Sequence, residues 1–147
     1  MKKNFTYLLP VLILAVVFSS GCFKNAESNP TPAPSGTFTG QFRLLHRKPG
    51  TTVIDTVKAN IQLVLETGVG YKVLGDTLTI HAGSKGHYAI NSNTIGFQDD
   101  TFPTTGKPTK THLSGYYQYY YDGTSVLQMV ANSADTLSLQ YDLKKTP

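Results

Sequence analysis

From residue 36 onward the chain sorts its apolar side chains by odd and even position. That period of two constrains the fold more than any other feature. Val53, Val57, Ala59, Ile61, Leu63 and Leu65 share one parity, broken only by Asp55. The opposite parity carries Ile54, Thr56, Lys58, Asn60, Gln62, Val64 and Glu66, which are mostly polar. Successive side chains of a strand point to opposite faces, so the pattern specifies a half-buried strand, whereas a helix of 3.6 residues per turn would scatter it around its circumference. At ~3.3 Å per residue, residues 53–66 would extend about 46 Å. A strand that long is expected to bend, across a bulge or around a barrel wall.

The same alternation recurs along the chain. Phe38, Gly40, Phe42 and Leu44 alternate with Thr37, Thr39, Gln41 and Arg43, and Leu78, Ile80 and Ala82 with Thr77, Thr79 and His81. Tyr88-Ala89-Ile90 and Ile95-Gly96-Phe97 flank Asn91-Ser92-Asn93-Thr94, a short hairpin connection. Asp122-Gly123 reads as a two-residue turn from a strand ending at Tyr121 into Ser125–Ala131, and Leu137, Leu139, Tyr141 and Leu143 close the series. No stretch after residue 36 carries helical periodicity. The expected class is all-β: a single antiparallel up-and-down β-barrel of about eight strands, the last pairing with the first so that neither edge is left open. An open β-sandwich is the alternative. The one long link, Gln98–Lys110, holds Pro103, Gly106 and Pro108 and is expected to be a loop, a place where function often resides.

The amino terminus reads as an address. Met1-Lys2-Lys3 is positive, and the apolar stretch from Leu8 to Phe18 reaches only roughly 16 Å as a helix against a hydrocarbon core of ~30 Å. Residues 1–21 are therefore expected to be a signal peptide and not a membrane span. Ser19-Ser20-Gly21-Cys22 resembles the lipobox of bacterial lipoproteins, with Ser in the first position where that family usually has Leu. The resemblance implies cleavage before Cys22, lipid on its sulfur and a further acyl chain (such as palmitate) on the new amino group, which together anchor stably where one chain would not. Phe23 stands where an Asp would resemble an inner-membrane retention signal, so the implied destination is the outer membrane, within the cell envelope. Residues 22–35 form the lipidated Cys and a tether, with Pro30, Pro32 and Pro34 at every second position, and its 12 residues from Lys24 to Ser35 could span roughly 35 Å at ~3.1 Å each. Residues 36–147 are the folded domain.

Composition narrows the chemistry. A single Cys excludes an internal disulfide and any multi-Cys zinc site. Lys2 and Lys3 leave with the signal peptide, and the remaining basic residues nearly balance nine acids, so nucleic acid is not an expected partner. No Gly-x-Ser-x-Gly elbow and no phosphate-binding glycine pattern occurs. His46, His81, His87 and His112 fall on different strands or turns without metal-ligand spacing, even with Asp99-Asp100 nearby. No enzyme activity, cofactor or metal is expected.

Gly86-His87-Tyr88-Ala89-Ile90, Asn93-Thr94-Ile95-Gly96-Phe97, Leu113-Ser114-Gly115-Tyr116-Tyr117 and Tyr141-Asp142-Leu143-Lys144-Lys145 follow one another in an order that resembles small lipocalin-like, calycin-type lipoproteins of Gram-negative bacteria, many of uncharacterised function. Gly40-Gln41-Phe42 stands where lipocalins proper carry Gly-x-Trp, and the chain has no Trp. The resemblance implies a barrel with an interior able to hold a ligand.

Tyr116-Tyr117-Gln118-Tyr119-Tyr120-Tyr121 is the most unusual string. Tyr117, Tyr119 and Tyr121 face one way on a strand, Tyr116 and Tyr120 the other. One set can pack the core beside a cross-strand row, or one set can line an apolar ligand or form a platform for sugar rings. The candidate ligand-binding residues are Tyr88, Phe97, Tyr117, Tyr119 and Tyr121. Asp55-Thr56-Val57, Asp76-Thr77-Leu78 and Asp135-Thr136-Leu137 resemble a short O-glycosylation acceptor of exported bacterial proteins, which marks Thr56, Thr77 and Thr136. The expected function is a membrane-anchored lipoprotein binding a small apolar or glycan-like ligand. The alternative is a solid-cored barrel that serves an envelope protein complex as an accessory subunit.

Overall fold

A computed structural model describes residues 32–133 and 137–147; the signal peptide, Cys22, most of the tether and Thr136 lie outside the described residues. Eight strands follow in order: β1 (Gly36–Arg47), β2 (Ile54–Glu66), β3 (Gly70–Gly75), β4 (Lys85–Ile90), β5 (Thr94–Asp99), β6 (Gly115–Tyr121), β7 (Val126–Ser133) and β8 (Leu137–Lys145). Each pairs antiparallel with its neighbours in sequence, and β8 returns to β1 to close the barrel. The open sandwich is thereby set aside.

β1 and β2 pair along their whole length, from Gly36 opposite Leu65 to Arg47 opposite Ile54. On its other side β1 pairs with β8 from Phe38 opposite Lys145 to His46 opposite Leu137. The alternation then works as a sorting rule. Phe38, Phe42, Ala59, Ile61, Leu63, Leu65, Tyr141 and Leu143 point inward and are buried, while Thr39, Lys58, Gln118 and Gln128 lie exposed on the outside. A barrel that spans a bilayer needs the reverse, an apolar outer band.

An up-and-down meander puts its turns at two poles. The chain enters at the pole that also holds the β2–β3, β4–β5 and β6–β7 turns and the carboxyl end. The far pole holds the β1–β2 hairpin and the two long links, 76–84 and 100–114. The last tether residues already belong to the domain: Pro34 is buried, and the Ser35 hydroxyl donates to the Leu65 carbonyl at 3.5 Å.

Several local expectations give way. Leu78–Ala82 is not a strand; it lies in a turn, with Leu78 85% exposed and His81 fully buried, the inverse of its parity. The third strand comes earlier, at Gly70–Gly75, and its seam with β4 is short, with Tyr71 opposite Gly86, Lys72 opposite Lys85 and one further bond from the Val73 amide to the Ser84 carbonyl at 2.8 Å. Gly86 sits inside β4, where a Cβ would overlap the Gln98 carbonyl. Val53 and Val57 share the core parity yet are exposed, because that end of the β1–β2 hairpin runs past the short β3. Between Tyr121 and Val126 the link is four residues and not two, because the Asp122 carboxylate accepts from the amides of Thr124, Ser125 and Val126 at 2.7–2.9 Å. Those bonds hold the Asp122 carboxyl well below the usual carboxylate range.

The closing seam depends on one small residue. A Cβ on Gly40 would overlap the Asp142 carbonyl and sit 3.0 Å from the Leu143 Cα. Gly40→Ala must therefore push β1 and β8 apart, at an expected loss of about 2 kcal/mol or more. The urea midpoint should fall accordingly, and an unchanged midpoint would contradict the seam.

Candidate functional site

The five candidate ligand-binding residues do share one side of the wall. Phe97, Tyr117 and Tyr121 are buried in the core, and Tyr88 and Tyr119 pack half-buried against it. Their rings belong to a chain of aromatic contacts across the lumen. Phe42 meets Tyr141 at 5.0 Å between centroids, Tyr141 meets Tyr117 at 5.6 Å, Tyr117 meets Phe97 at 5.8 Å, and Phe97 meets Tyr71 at 4.8 Å. Most are edge-to-face, the geometry ring quadrupoles favour, each adding roughly 0.5–1.5 kcal/mol beyond burial. Side chains from β1, β3, β5, β6 and β8 thus meet one another in the middle of the barrel. An eight-stranded wall is about the size its own side chains can fill.

The far pole is stoppered by the 76–84 link. His81 drops inward against Phe42, 4.8 Å between centroids, and is bonded at both ring nitrogens. The Ala82 carbonyl can only accept, so Nδ1 carries the proton (2.6 Å), and Nε2 receives the Tyr141 hydroxyl at 2.9 Å. Desolvation is the largest influence on this imidazole and lowers its pKa below the ordinary value, outweighing the Ala82 bond. The second long link is stitched to the first: Thr111 N–H donates to Ile80 O at 2.8 Å and Ala82 N–H to Thr111 O at 2.9 Å.

Nearby, His112 Nδ1 meets Asp99 Oδ2 at 2.7 Å, and Asp99 Oδ1 accepts from the Thr101 amide at 2.8 Å and hydroxyl at 2.6 Å. Burial raises the Asp99 carboxyl, but the bonds from Thr101, His112 and Ser84 outweigh it and hold it below the usual range. An acid–histidine pair beside a serine resembles a hydrolase set. Ser84, however, is fully buried and its hydroxyl accepts from the Leu113 amide at 3.0 Å, so it pins a loop and faces no solvent. His46 and His87 lie elsewhere, exposed, and among the described residues no three His, Cys, Asp or Glu converge as metal ligands. Thr56 is exposed on β2; Thr77 is half-buried, its methyl 3.8 Å from where a Gly83 Cβ would stand.

A groove of about 520 Å³ lies on the wall of β6, β7, β8 and β1, lined by Gln118, Tyr120, Gln128, Gln140, Arg43 and Asp142 together with Tyr119, Met129, Val130 and Tyr141. Two cross-strand rows run through it, the first ending at Gln41 just beyond the lining. One runs Tyr120, Gln128, Asp142, Gln41 and the other Gln118, Val130, Gln140, Arg43. Arg43 pairs with Asp142, which also accepts from Gln128 Nε2 at 2.9 Å. This set escaped sequence reading because its glutamines are scattered along the chain and only register brings them together.

Two measurements probe this picture. The Tyr117 hydroxyl is buried beside the Tyr141 hydroxyl and the Ser114 backbone but makes no hydrogen bond of good geometry with either, so Tyr117→Phe is expected to change stability by less than ~1 kcal/mol; a larger loss in urea unfolding would mean the hydroxyl has a strong partner inside the barrel. His81 has a folded pKa below its unfolded value, so between the two the unfolded chain binds more protons and stability falls as pH drops below about 6.5, by up to ~1.4 kcal/mol per unit. Urea unfolding from pH 7 to 3 should show that slope in the parent and lose it in His81→Gln, with a second decline below pH ~4 in both as Asp99 and Asp122 are protonated.

Compared with protein-family models, with curated proteins and with solved structures, the chain finds no match.

Proposed function

We propose that the chain is a lipoprotein anchored in the outer membrane through Cys22, and that its lipocalin-like barrel is a non-enzymatic binding module working from its outer wall. The amino-terminal reading rests on the positive start, the short apolar run and the Ser19-Ser20-Gly21-Cys22 string. The placement of binding rests on one observation: aromatic side chains occupy the lumen, whereas a groove of about 520 Å³ lies open outside. That volume falls within the range of small-ligand sites, and its wall combines rings with convergent polar groups. A ligand entering the lumen from the far pole would have to displace His81 and break its two bonds.

Labelling native cells with an alkyne fatty acid tests the anchor. The parent chain should carry the label and sediment with outer membranes, and Cys22→Ala should carry none and keep its leader. Label on Cys22→Ala, or an uncleaved amino terminus in the parent, defeats the reading. An intact mass above that of the lipidated polypeptide would add a glycan at Thr56, Thr77 or Thr136.

A further inference from the structure

We infer that the outer groove takes a neutral, hydroxyl-rich sugar chain, an inference that rests on the wall being the binding surface. Charge is the first argument. Among the described residues that line the groove the only charged groups, Arg43 and Asp142, are paired with each other, so the lining itself carries no net charge to recognise an ionic ligand. The second is hydrogen-bonding character. Gln118 and Gln140 each carry two amide N–H donors and a carbonyl acceptor, and Gln128 keeps its carbonyl and one N–H beyond its bond to Asp142, which matches hydroxyls that donate and accept; an apolar ligand would strip these amides of water and leave them unpaired.

The third argument is the rings. Tyr120 is 59% exposed at the groove, and Tyr116, on the same face of β6, is 84% exposed. Four residues of strand put them about 13 Å apart, with Gln118 between. Tyr116 lies against Gly96, where a Cβ would come within 2.8 Å of the ring. The missing side chain leaves that ring room to rest beside Gly96 while staying largely open to a ligand. A row of ring, amide, ring along one strand suits the apolar faces and hydroxyl edges of successive sugars. An extended peptide is disfavoured by the backbone: β6, β7, β8 and β1 are each bonded on both sides, so no edge is free for strand addition.

The test uses the full lipidated chain in a polyoxyethylene detergent, which carries no sugar. Maltohexaose, cellohexaose, xylohexaose and chitohexaose are the neutral probes, with hexagalacturonate and an uncharged hexapeptide for comparison. Calorimetry gives affinity, and tyrosine emission reports directly because the chain has no Trp. At least one neutral probe should bind saturably, with Tyr120→Ala weakening it about tenfold or more and Tyr120→Phe retaining most of it. Gln118→Glu, an exposed and nearly isosteric change, provides a second variant and should also weaken binding. Neutral-sugar binding that ignores both Tyr120→Ala and Gln118→Glu overturns the site. If only the acidic sugar or the peptide binds, and Tyr120→Ala weakens it, the ligand class is wrong while the wall remains the binding surface. Binding of no probe overturns both.

Discussion

The hydrogen-bonded seam between β1 and β8 is the constraint on which the rest depends. Until it forms, the sheet has two exposed edges and its inward face has nothing opposite it. Once it forms, nine register pairs from Phe38–Lys145 to His46–Leu137 fix which parity of every strand looks inward. Curvature then brings Phe42, Tyr141, Tyr117 and Phe97 within ring-contact distance across the interior. Gly40 allows the two backbones to approach that closely. The core is therefore a consequence of closure as much as its cause.

Filling the lumen moves the functional question to surfaces. Eight-stranded barrels differ in how much room their side chains leave, and here aromatic residues from five strands meet in the middle. The far pole adds its own stopper, His81, whose ring is satisfied by Ala82 and Tyr141 and kept neutral by burial. Asp99 and His112, which look like catalytic parts in isolation, are accounted for by the loop they hold. On the outside, the residues the core does not need are four glutamines, two exposed tyrosines and one self-neutralised ion pair.

Much of the architecture was legible because period-two sorting is a local property: β1, β2, β5 and β8 are visible as alternation in the string itself. What escaped was set by tertiary context. Leu78–Ala82 alternates as a strand does, but burying His81 against Phe42 and bonding it to Tyr141 turned the segment over and left Leu78 in water. β3 is six residues long, with glycine at each end, too little pattern to announce itself. Asp122-Gly123 has favoured turn chemistry, yet the carboxylate gathers three amides and needs the longer link to do so. The tyrosine string was rightly divided into two faces, but which face meets solvent as a groove depended on neighbours contributed from Gln41 to Asp142.

The adjacency of the domain's two ends has a practical corollary. The Thr146 amide bonds the Thr37 carbonyl at 2.8 Å, so the carboxyl terminus emerges beside the point where the polypeptide comes in. A fluorescent protein or affinity tag appended after Pro147 would crowd that same shoulder and leave the opposite crown, with its long hairpin, unobstructed. The proximity also makes the barrel a natural cassette: splicing old head to old tail through a brief linker and reopening it at the Asn91–Asn93 bend would give a permuted chain with every rung of the ladder intact.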